Sequence, residues 1–553
     1  MISIDTNNYF KYTLCALVAV YILGIGIHIM DIDAAQYAEM SREMSITNSY
    51  LQVYELGNDY LDKPPFLFWM SALSVKLFGA NNLGYRLPSM VFGLLALYST
   101  YKFALVYYKR EIALLAVLIL ASSQAFFLMM HDVRTDTILM CWVIYSIWQL
   151  ALWFTTGKAK HLILGCIAVG CGMLTKGPIA LIVPVVAFGS HFVVTRSLHK
   201  LLKWQHLLGI MCIAIVLVPM SIGLYEQYDL QPNKLVNGKT GVSGLRFFYW
   251  TQSFGRITGE SVWDNGATIF FLAQNMLWAF LPWIVIFIIA LVYEMILIIK
   301  LKGKLPVQAE WICVGGFLLS YIALGSSKYQ LPHYIFVVLP FAAIITAKLC
   351  NQLNVAQGNR KLVASIEKSH FVLFLLLIIV LGLLLCVSFE TAIGIRLAYI
   401  LYLIGYLYVF LQKKIDKYFI KLCIYTIIGV NFFLNISIYP SLLQYQLGSR
   451  VGIYVNNNEQ LKGCTYIYQD HIFPSLHYYA KQIILHKDSV AQYVAGDYAI
   501  IPTNKISEFT SKGIIIDTVM QLQTYNVTKL SLKFLNPNTR TRVTTPYAII
   551  SIK

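Results

Sequence analysis

Thirteen apolar stretches constrain the fold of this 553-residue chain more than any other feature. A membrane-spanning helix needs about 20 predominantly apolar residues. Stretches of about that length lie near residues 12–30, 87–107, 112–130, 137–155, 161–176, 178–194, 206–224, 276–299, 309–325, 333–350, 370–390, 395–411 and 418–438. Only 12% of the residues are charged, whereas a soluble protein has roughly 25%. The sequence therefore predicts a polytopic α-helical membrane protein with about 13 transmembrane helices, the first of them uncleaved.

The positions of lysine and arginine predict the orientation of these spans. If the N-terminus is cytoplasmic, every inside connection carries basic residues, as the positive-inside rule requires. The remaining connections then lie outside: 31–86, 131–136, 175–178, 225–268, 326–332 and 391–394. An odd number of spans places the C-terminal tail outside as well. The net charge of +17 therefore reflects membrane topology, and we expect no nucleic-acid partner.

The tail differs in character from the rest of the chain. Its apolar runs shorten to strand length at Tyr466–Tyr468, Ile483–Leu485, Tyr498–Ile501, Gly513–Ile516 and Tyr547–Ile552, with a helical segment at Phe473–Lys481. Strands that alternate with helical patterns indicate a small α/β domain. We therefore predict a membrane unit over 1–438 and a C-terminal unit over 439–553. None of the ten cysteines forms a CxxC pair, so neither a disulfide framework nor a structural zinc site is expected.

The first outside loop opens with a segment of helical periodicity. Tyr37, Met40 and Met44 recur on one side, and the polar residues Gln36, Glu39, Arg42 and Glu43 share the other. This pattern predicts an amphipathic helix that lies in the membrane interface. Asp33 stands where the chain leaves the first span. Its carboxylate could accept a proton or hold a cation, or it could simply cap the helix.

Two further residues of this loop carry positive charge at the membrane surface. Lys63 precedes Pro64 and Pro65 and is therefore held on a stiff, extended backbone before an apolar run. It could present its charge to a phosphate or anchor the chain by reaching toward the headgroups. Arg86 opens the second span from the outside, and it needs a partner such as a carboxylate or a lipid phosphate.

The other outside connections add ionisable residues. The turn 131–136 contains His131, Asp132, Arg134 and Asp136, and Lys176 lies between two short spans, at a depth where a charge is expensive. Further candidates are Arg246, Arg256 and Glu260 in 225–268, and Lys328, His333 and Tyr334 in the turn that begins at 326. Cations from six segments at one membrane face suit a substrate with a lipid tail and an anionic head. Cations are needed because a phosphate leaves readily only when its charge is neutralised.

Several of these motifs, in this order, resemble the bacterial lipid A aminoarabinose transferases and, more distantly, the protein O-mannosyltransferases. Both are families of GT-C glycosyltransferases. The similarity is carried by Asp33 with the following Tyr-Ala-Glu-Met-Ser-Arg-Glu-Met, by Asp62-Lys63-Pro64, by Asn-Asn-Leu-Gly-Tyr-Arg ending at Arg86, by Leu-Thr-Lys-Gly around Lys176, and by the turn from Lys328 to Tyr334. It runs from the first span to about residue 340 and continues more loosely to the C-terminal domain.

The resemblance implies a GT-C catalytic domain over 1–438 and roles for individual residues. Asp33 would be the catalytic aspartate, and Asp136 would match the aspartate of the second short outside loop. Lys63 would contact the polyprenyl-phosphate donor, with Tyr37 and Tyr60 nearby. Weaker candidates for the lipid-phosphate site are Arg86, Lys176, Arg256, Lys328 and Tyr334. The family usually has Asp-Glu at its first motif, whereas Ala34 follows Asp33 here. No metal ligand is therefore assigned, and no cofactor is expected to be obligatory, although a divalent metal is possible.

These features together predict an inverting glycosyltransferase in the bacterial inner membrane. It would move a sugar from undecaprenyl phosphate to a lipid A phosphate at the periplasmic face. The alternative is a protein O-glycosyltransferase that uses the same donor. A lipid transporter fits less well, because transporters place ionisable residues near the membrane midplane and the spans here contain almost no charge.

Overall fold

The structure is a computed structural model that describes residues 6–553 except 237, 259, 261–262, 302–304, 306–309, 356–359, 412–414 and 470–472. Its helices up to residue 433 are α1 (Thr6–Gly24), α2 (Asp33–Thr47), α3 (Phe66–Phe78), α4 (Asn82–Tyr107), α5 (Arg110–Ala121), α6 (Gln124–His131), α7 (Thr135–Thr156), α8 (Ala159–Lys176), α9 (Ile179–Val194), α10 (Gln205–Leu224), α11 (Gly244–Arg246), α12 (Gly255–Thr258), α13 (Phe271–Ala279), α14 (Ile284–Lys300), α15 (Ile312–Gly325), α16 (Leu339–Val355), α17 (Arg360–Leu383), α18 (Ile393–Leu411) and α19 (Ile415–Phe433).

Every predicted apolar stretch coincides with one of these helices or with a consecutive pair. Within the described residues, seven helices are long and apolar enough to cross a membrane, or eight if the pair α5 and α6 is one span bent by 60°. Five further apolar helices are shorter, from 10 to 17 residues. The chain is thus a multi-pass membrane protein, and the number of thirteen spans stays a prediction.

The bend between α5 and α6 positions the 131–136 turn. Ser122 and Ser123 separate the two helices, and the indole Nε1 of Trp283 donates to Ser122 Oγ over 2.9 Å. The backbone amide of Gln124 donates to the carbonyl of Leu281 at the same distance. The break is therefore stabilised by the α13–α14 connection, and it directs the end of α6 toward the start of α2.

The first outside loop contains more regular structure than the sequence predicted. The helix α2 is present as expected, and the apolar run after Pro65 forms α3, which the sequence analysis did not identify. Two short strands, β1 (Tyr54–Glu55) and β2 (Asn58–Asp59), pair as an antiparallel hairpin between these helices. Glu43 accepts a hydrogen bond of 2.8 Å from the amide of Gly57 in the hairpin turn, so α2 and the hairpin are joined.

The polar side of α2 does not face water, as it would in an amphipathic helix that lies freely in the membrane interface. Glu39, Arg42 and Glu43 are all buried, because the C-terminal part of the chain covers this side of the helix. Arg42 donates to both carboxylate oxygens of Glu39, at 2.7 and 2.5 Å, and to the carbonyl of Lys481 at 3.0 Å. Glu39 and Arg42 are tolerated in the interior because they are paired and hydrogen-bonded with each other, and Glu43 has the hydrogen bond from the hairpin amide of Gly57.

The tail forms a five-stranded mixed sheet, as the short apolar runs predicted. The strands are β3 (Thr465–Tyr468), β4 (Leu485–Lys487), β5 (Tyr498–Pro502), β6 (Ile516–Thr524) and β7 (Thr545–Ile552), in the order β4-β3-β5-β7-β6. Here β3 is parallel to both neighbours, and β7 is antiparallel to β5 and β6. The helices in this part of the chain are α20 (Tyr439–Leu443), α21 (Leu447–Asn457), α22 (Pro474–Ala480), α23 (Ile506–Thr510), α24 (Leu532–Leu535) and α25 (Pro537–Arg540).

Candidate functional site

Asp33 is the first residue of α2, and its carboxylate is bound by an arginine from a distant segment. Nη1 of Arg134 donates to Asp33 Oδ2 over 2.6 Å, and Nε of Arg134 donates to Asp132 Oδ2 over 2.8 Å. Arg134 immediately precedes α7, so the turn after α6 supplies both Arg134 and Asp132. The side chain of Asp33 remains 35% exposed. One guanidinium therefore orients the predicted catalytic carboxylate and leaves part of it accessible.

Asp136 is the second residue of α7 and is buried, at 1% exposure. Nζ of Lys176, at the end of α8, donates to Asp136 Oδ1 over 2.5 Å and lies 4.1 Å above the centre of the Tyr334 ring. Nε2 of His333 lies 3.7 Å from Asp136 Oδ2. Three predicted site residues, Asp136, Lys176 and Tyr334, therefore meet in one partly buried cluster, in which the two charges of Asp136 and Lys176 compensate each other.

Lys63 forms an ion pair with its neighbour Asp62, and both side chains are partly exposed. The amide of Gln252 donates to Asp62 Oδ1 over 2.7 Å, so the 225–268 loop fixes the orientation of the carboxylate. A phosphate that binds Lys63 has to compete with Asp62. The lysine can make this exchange because its flexible stem carries a point charge with three donors.

Tyr37 and Tyr60 connect the Asp33 and Lys63 segments. Both rings pack edge-on against Phe68 of α3, with ring centres 5.7 and 6.2 Å away. Burial raises the pKa of Tyr37, and the nearby Tyr60, Asp33 and Asp62 raise it further. Burial likewise raises the pKa of Tyr60, with additional contributions from Asp62, Glu55 and Asp33. Both hydroxyls therefore stay protonated and can act as hydrogen-bond donors.

The predicted site residues thus come together across separate segments. The ring of His333 lies within electrostatic range of Lys176, Arg134 and Lys63, and Tyr37 lies within that range of both Asp33 and Asp62. Among the described residues, no hydrogen bond joins Asp33 directly to Lys63. Their segments are instead connected through Tyr37 and Tyr60, which pack on the same Phe68 ring.

The sequence analysis predicted that Arg86 could bind a lipid phosphate, but in the structure its side chain is not available for that contact. Its side chain is 1% exposed, and its guanidinium donates to four backbone carbonyls. These are Ile25 at 2.7 Å, His28 at 3.2 Å and His131 at 2.7 Å, together with Ile27. We therefore revise its role: Arg86 joins the turn between α1 and α2 to the end of α6, and so supports the Asp33–Arg134 pair.

Two predicted residues remain, Lys328 and Arg256. Lys328 is exposed in the turn after α15, and it has no side-chain partner within the described part of the chain. Arg256 lies in α12, but its side chain lies outside the described residues. Their predicted contacts with a lipid phosphate stay predictions.

The sequence analysis named Arg134 and His333 within their motifs but did not predict them as site residues. For Arg134 a signal was present, since it stands between two aspartates in an outside turn that also contains Asp136. His333 precedes Tyr334, a chosen residue. As for a metal, no group of three or more His, Cys, Asp or Glu side chains in the described ranges is arranged to hold an ion. The divalent metal that the sequence analysis allowed therefore stays a prediction.

Comparison with known proteins agrees with the fold. Residues 62–222 match a family described as dolichyl-phosphate-mannose-protein mannosyltransferase. The crystal structure of ArnT from Cupriavidus metallidurans bound to undecaprenyl phosphate superposes with a TM-score of 0.73 at 14% identity, covering 98% of both chains. The apo form of the same protein gives a TM-score of 0.67 at 16% identity, with the same coverage. This chain has the aminoarabinose transferase fold. The GT-C architecture expected from the sequence is confirmed.

Several relatives found by sequence are named as aminoarabinose transferases. An undecaprenyl phosphate-alpha-4-amino-4-deoxy-L-arabinose arabinosyl transferase of Pseudomonas fluorescens is 26% identical over 62% of this chain and 60% of its own length. The corresponding transferase of Wigglesworthia glossinidia brevipalpis is 31% identical over 32% of this chain and 33% of its own length. The resemblance to the aminoarabinose transferases is therefore confirmed. The first relatives are matched over only 54% to 62% of their own length.

Proposed function

We propose that this chain is an inverting glycosyltransferase that moves a sugar from undecaprenyl phosphate to a phosphate of lipid A. The observation that carries the proposal is the convergence of the Asp33–Arg134 pair and Lys63 on one region, together with the fold. Fold alone does not establish an activity, but this arrangement provides an oriented carboxylate, cations and tyrosine hydroxyls where a sugar phosphate needs them.

The reaction breaks one bond and forms one. An oxygen of the acceptor attacks the anomeric carbon of the sugar from the side opposite the leaving group. The bond between that carbon and the donor phosphate oxygen breaks, and its electron pair leaves with undecaprenyl phosphate. A lipid A phosphate is already anionic, so little deprotonation is required. Inversion at the anomeric carbon follows from a single displacement.

The ion pairs suggest which role each residue has in the transfer reaction. Lys63, released from Asp62, would neutralise the departing phosphate, and the hydroxyls of Tyr37 and Tyr60 would donate to it. Asp33 is held by Arg134 over 2.6 Å. Because a lipid A phosphate needs little deprotonation, Asp33 in this position would orient the sugar or the acceptor rather than remove a proton. Asp136 and Lys176 would hold the start of α7 and the end of α8 together next to the site.

The proposed location is the inner membrane of a bacterium, with the N-terminus in the cytoplasm. The site and the C-terminal unit over 439–553 would then face the periplasm. The alternation of basic connections supports this orientation. Cysteine labelling tests it: a membrane-impermeant reagent should reach a cysteine placed at the exposed Lys328 in intact spheroplasts.

Mass spectrometry of lipid A tests the proposed reaction. Cells that contain the protein should show lipid A with an added sugar-sized increment, and cells with the Asp33→Asn or Lys63→Ala variant should lose it. Arg542→Lys, an exposed change in the C-terminal unit, is the control. An unchanged lipid A profile together with altered glycoproteins would favour the protein O-glycosyltransferase. Full transfer by both site variants would show that the site assignment is wrong.

A further inference from the structure

The turn that connects α1 to α2, residues 25–32, is bound by side chains from the C-terminal part of the chain. The backbone amide of Ile29 donates to the Tyr479 hydroxyl over 2.8 Å, and the amide of Asp31 donates to Gln446 Oε1 over 3.0 Å. The amide nitrogen of Gln446 in turn donates to the carbonyl of Ile29 over 2.8 Å. Two polar side chains thus satisfy backbone groups of a turn about 415 to 450 residues away in sequence.

Asp31 makes the same connection through its side chain. Its Oδ1 accepts a hydrogen bond of 2.9 Å from the backbone amide of Ser475, and its Oδ2 accepts one of 2.7 Å from the Ser475 hydroxyl. Both donors come from the first turn of α22. A carboxylate is a favourable partner for the free amides at the start of a helix.

The surroundings leave little freedom for α22 to shift. Gly448 of α21 lies so close that a Cβ there would meet Ser475 Oγ at 2.3 Å. The Tyr479 hydroxyl also donates to Asn82 Oδ1 over 2.6 Å, and the Tyr478 hydroxyl donates to the carbonyl of Asn81 over 3.0 Å. The start of α4 is therefore bound by the same helix that binds the turn.

Asp33 follows directly after this bound turn. Arg86 binds the carbonyls of residues 25, 27 and 28, whereas the C-terminal side chains bind residues 29 and 31. The whole connection is thus held by hydrogen bonds to its backbone or to Asp31. Because a connection without regular structure has no internal hydrogen-bond ladder of its own, its conformation depends on these external partners.

We propose that the C-terminal unit is a positioning element of the active site: Gln446, Ser475 and Tyr479 hold the 25–32 turn so that Asp33 meets Arg134. This inference rests on the proposed function and assigns a role to the tail, which contains no catalytic group in that proposal. The proposal gives none of the three side chains a contact with substrate. They act through the turn. The same contacts explain why the polar side of α2 is covered rather than exposed.

Residue-resolved hydrogen–deuterium exchange of the full-length protein in lipid nanodiscs tests the contact without any substrate. Tyr479→Phe removes the acceptor of the Ile29 amide, and Gln446→Leu removes that of the Asp31 amide. Exchange at the affected amide should rise about tenfold, because local opening then costs one hydrogen bond less. Tyr525→Phe is the matched control, since within the described part of the chain that hydroxyl binds only Lys529 and Ser531. Unchanged exchange at residues 29 and 31 would overturn the proposal.

Steady-state kinetics then separates a positioning role from a purely structural one. With undecaprenyl phosphate-linked aminoarabinose and purified lipid A as substrates, Tyr479→Phe combined with Gln446→Leu should lower kcat about tenfold to a hundredfold, at an unchanged donor KM. Asp31→Asn keeps an acceptor oxygen for Ser475 and should retain most of the rate, whereas Asp31→Leu should not. Faster exchange with an unchanged kcat would overturn the positioning role. Failure of the proposed function would appear differently, as Asp33→Asn with full activity.

Discussion

Nη1 of Arg134 lies 2.6 Å from Oδ2 of Asp33, although 101 residues separate the two in the chain. The same guanidinium binds Asp132 through Nε at 2.8 Å. One planar side chain therefore bridges two carboxylates, and Arg134 determines the direction of the Asp33 side chain. The orientation of Asp33 therefore depends on the turn that follows α6.

The bridge predicts that Arg134 cannot be replaced by lysine. Arg134→Lys keeps the positive charge but loses the fork that reaches two carboxylates at once. We expect kcat for sugar transfer to fall about tenfold to a hundredfold, because a small displacement of a reacting group is costly. The measurement is single-turnover transfer to lipid A. Arg542→Lys, which alters an exposed arginine, should leave the rate unchanged, and wild-type activity in Arg134→Lys would contradict the bridge.

The pair of Asp136 and Lys176 predicts a large effect on stability. Asp136 is 1% exposed and the Lys176 side chain 16%, so removing one partner leaves a buried charge without compensation. Lys176→Met should destabilise the protein by about 3–5 kcal/mol, and Asp136→Asn should do the same. The double variant should regain much of the loss, because both charges are then absent. Thermal unfolding in detergent measures all three, and additive single effects would contradict the pairing.

The ion pair between Lys63 and Asp62 predicts opposite changes in donor binding. Lys63→Gln should weaken binding of undecaprenyl phosphate by about tenfold to a hundredfold, the range for a hydrogen bond to a charged group. Asp62→Asn should strengthen it severalfold, since the lysine no longer exchanges one anion for another. Isothermal titration with undecaprenyl phosphate in detergent gives both values. Lys512→Gln is the matched control in the C-terminal unit. Weaker binding in Asp62→Asn would show that Asp62 contributes to binding.

The contact between Asp31 and Ser475 predicts a pH dependence of stability. Burial raises the pKa of Asp31 from 3.8 to about 6, although the two hydrogen bonds from Ser475 act in the opposite direction. A raised pKa means that the folded chain binds the proton more tightly than the unfolded chain. This contribution to stability is therefore complete below about pH 4 and is lost as the pH rises through about 6.

Asp31→Asn removes the ionisation and isolates this effect. The wild-type melting temperature should fall relative to that of Asp31→Asn between pH 4 and pH 7. Taking the difference between the two proteins cancels the titration of other groups near the turn, among them His28, whose pKa is lowered by burial and by Arg86 and Arg450. Parallel melting curves across this range would contradict the raised pKa.

Local sequence patterns predicted the helices and strands whose formation depends mainly on neighbouring residues. The apolar stretches predicted the helices, and the short apolar runs of the tail predicted three of its five strands closely. The runs at Ile483–Leu485 and Gly513–Ile516 each share only one residue with the strand that forms there, β4 (Leu485–Lys487) and β6 (Ile516–Thr524). The residues of these two strands are largely exposed or half-buried, so they lack the apolar signal on which the prediction depended.

The sequence by itself determined a multi-pass helical protein with a small α/β tail, and it brought Asp33 and Lys63 forward as site residues. Only the tertiary structure decided what each charge binds: Arg86 binds carbonyls, Arg134 binds Asp33, and the polar side of α2 packs under α22. The physical reason is that apolar periodicity is set by neighbouring residues and the bilayer. The partner of a buried charge, in contrast, comes from segments whose proximity exists only once the chain has folded.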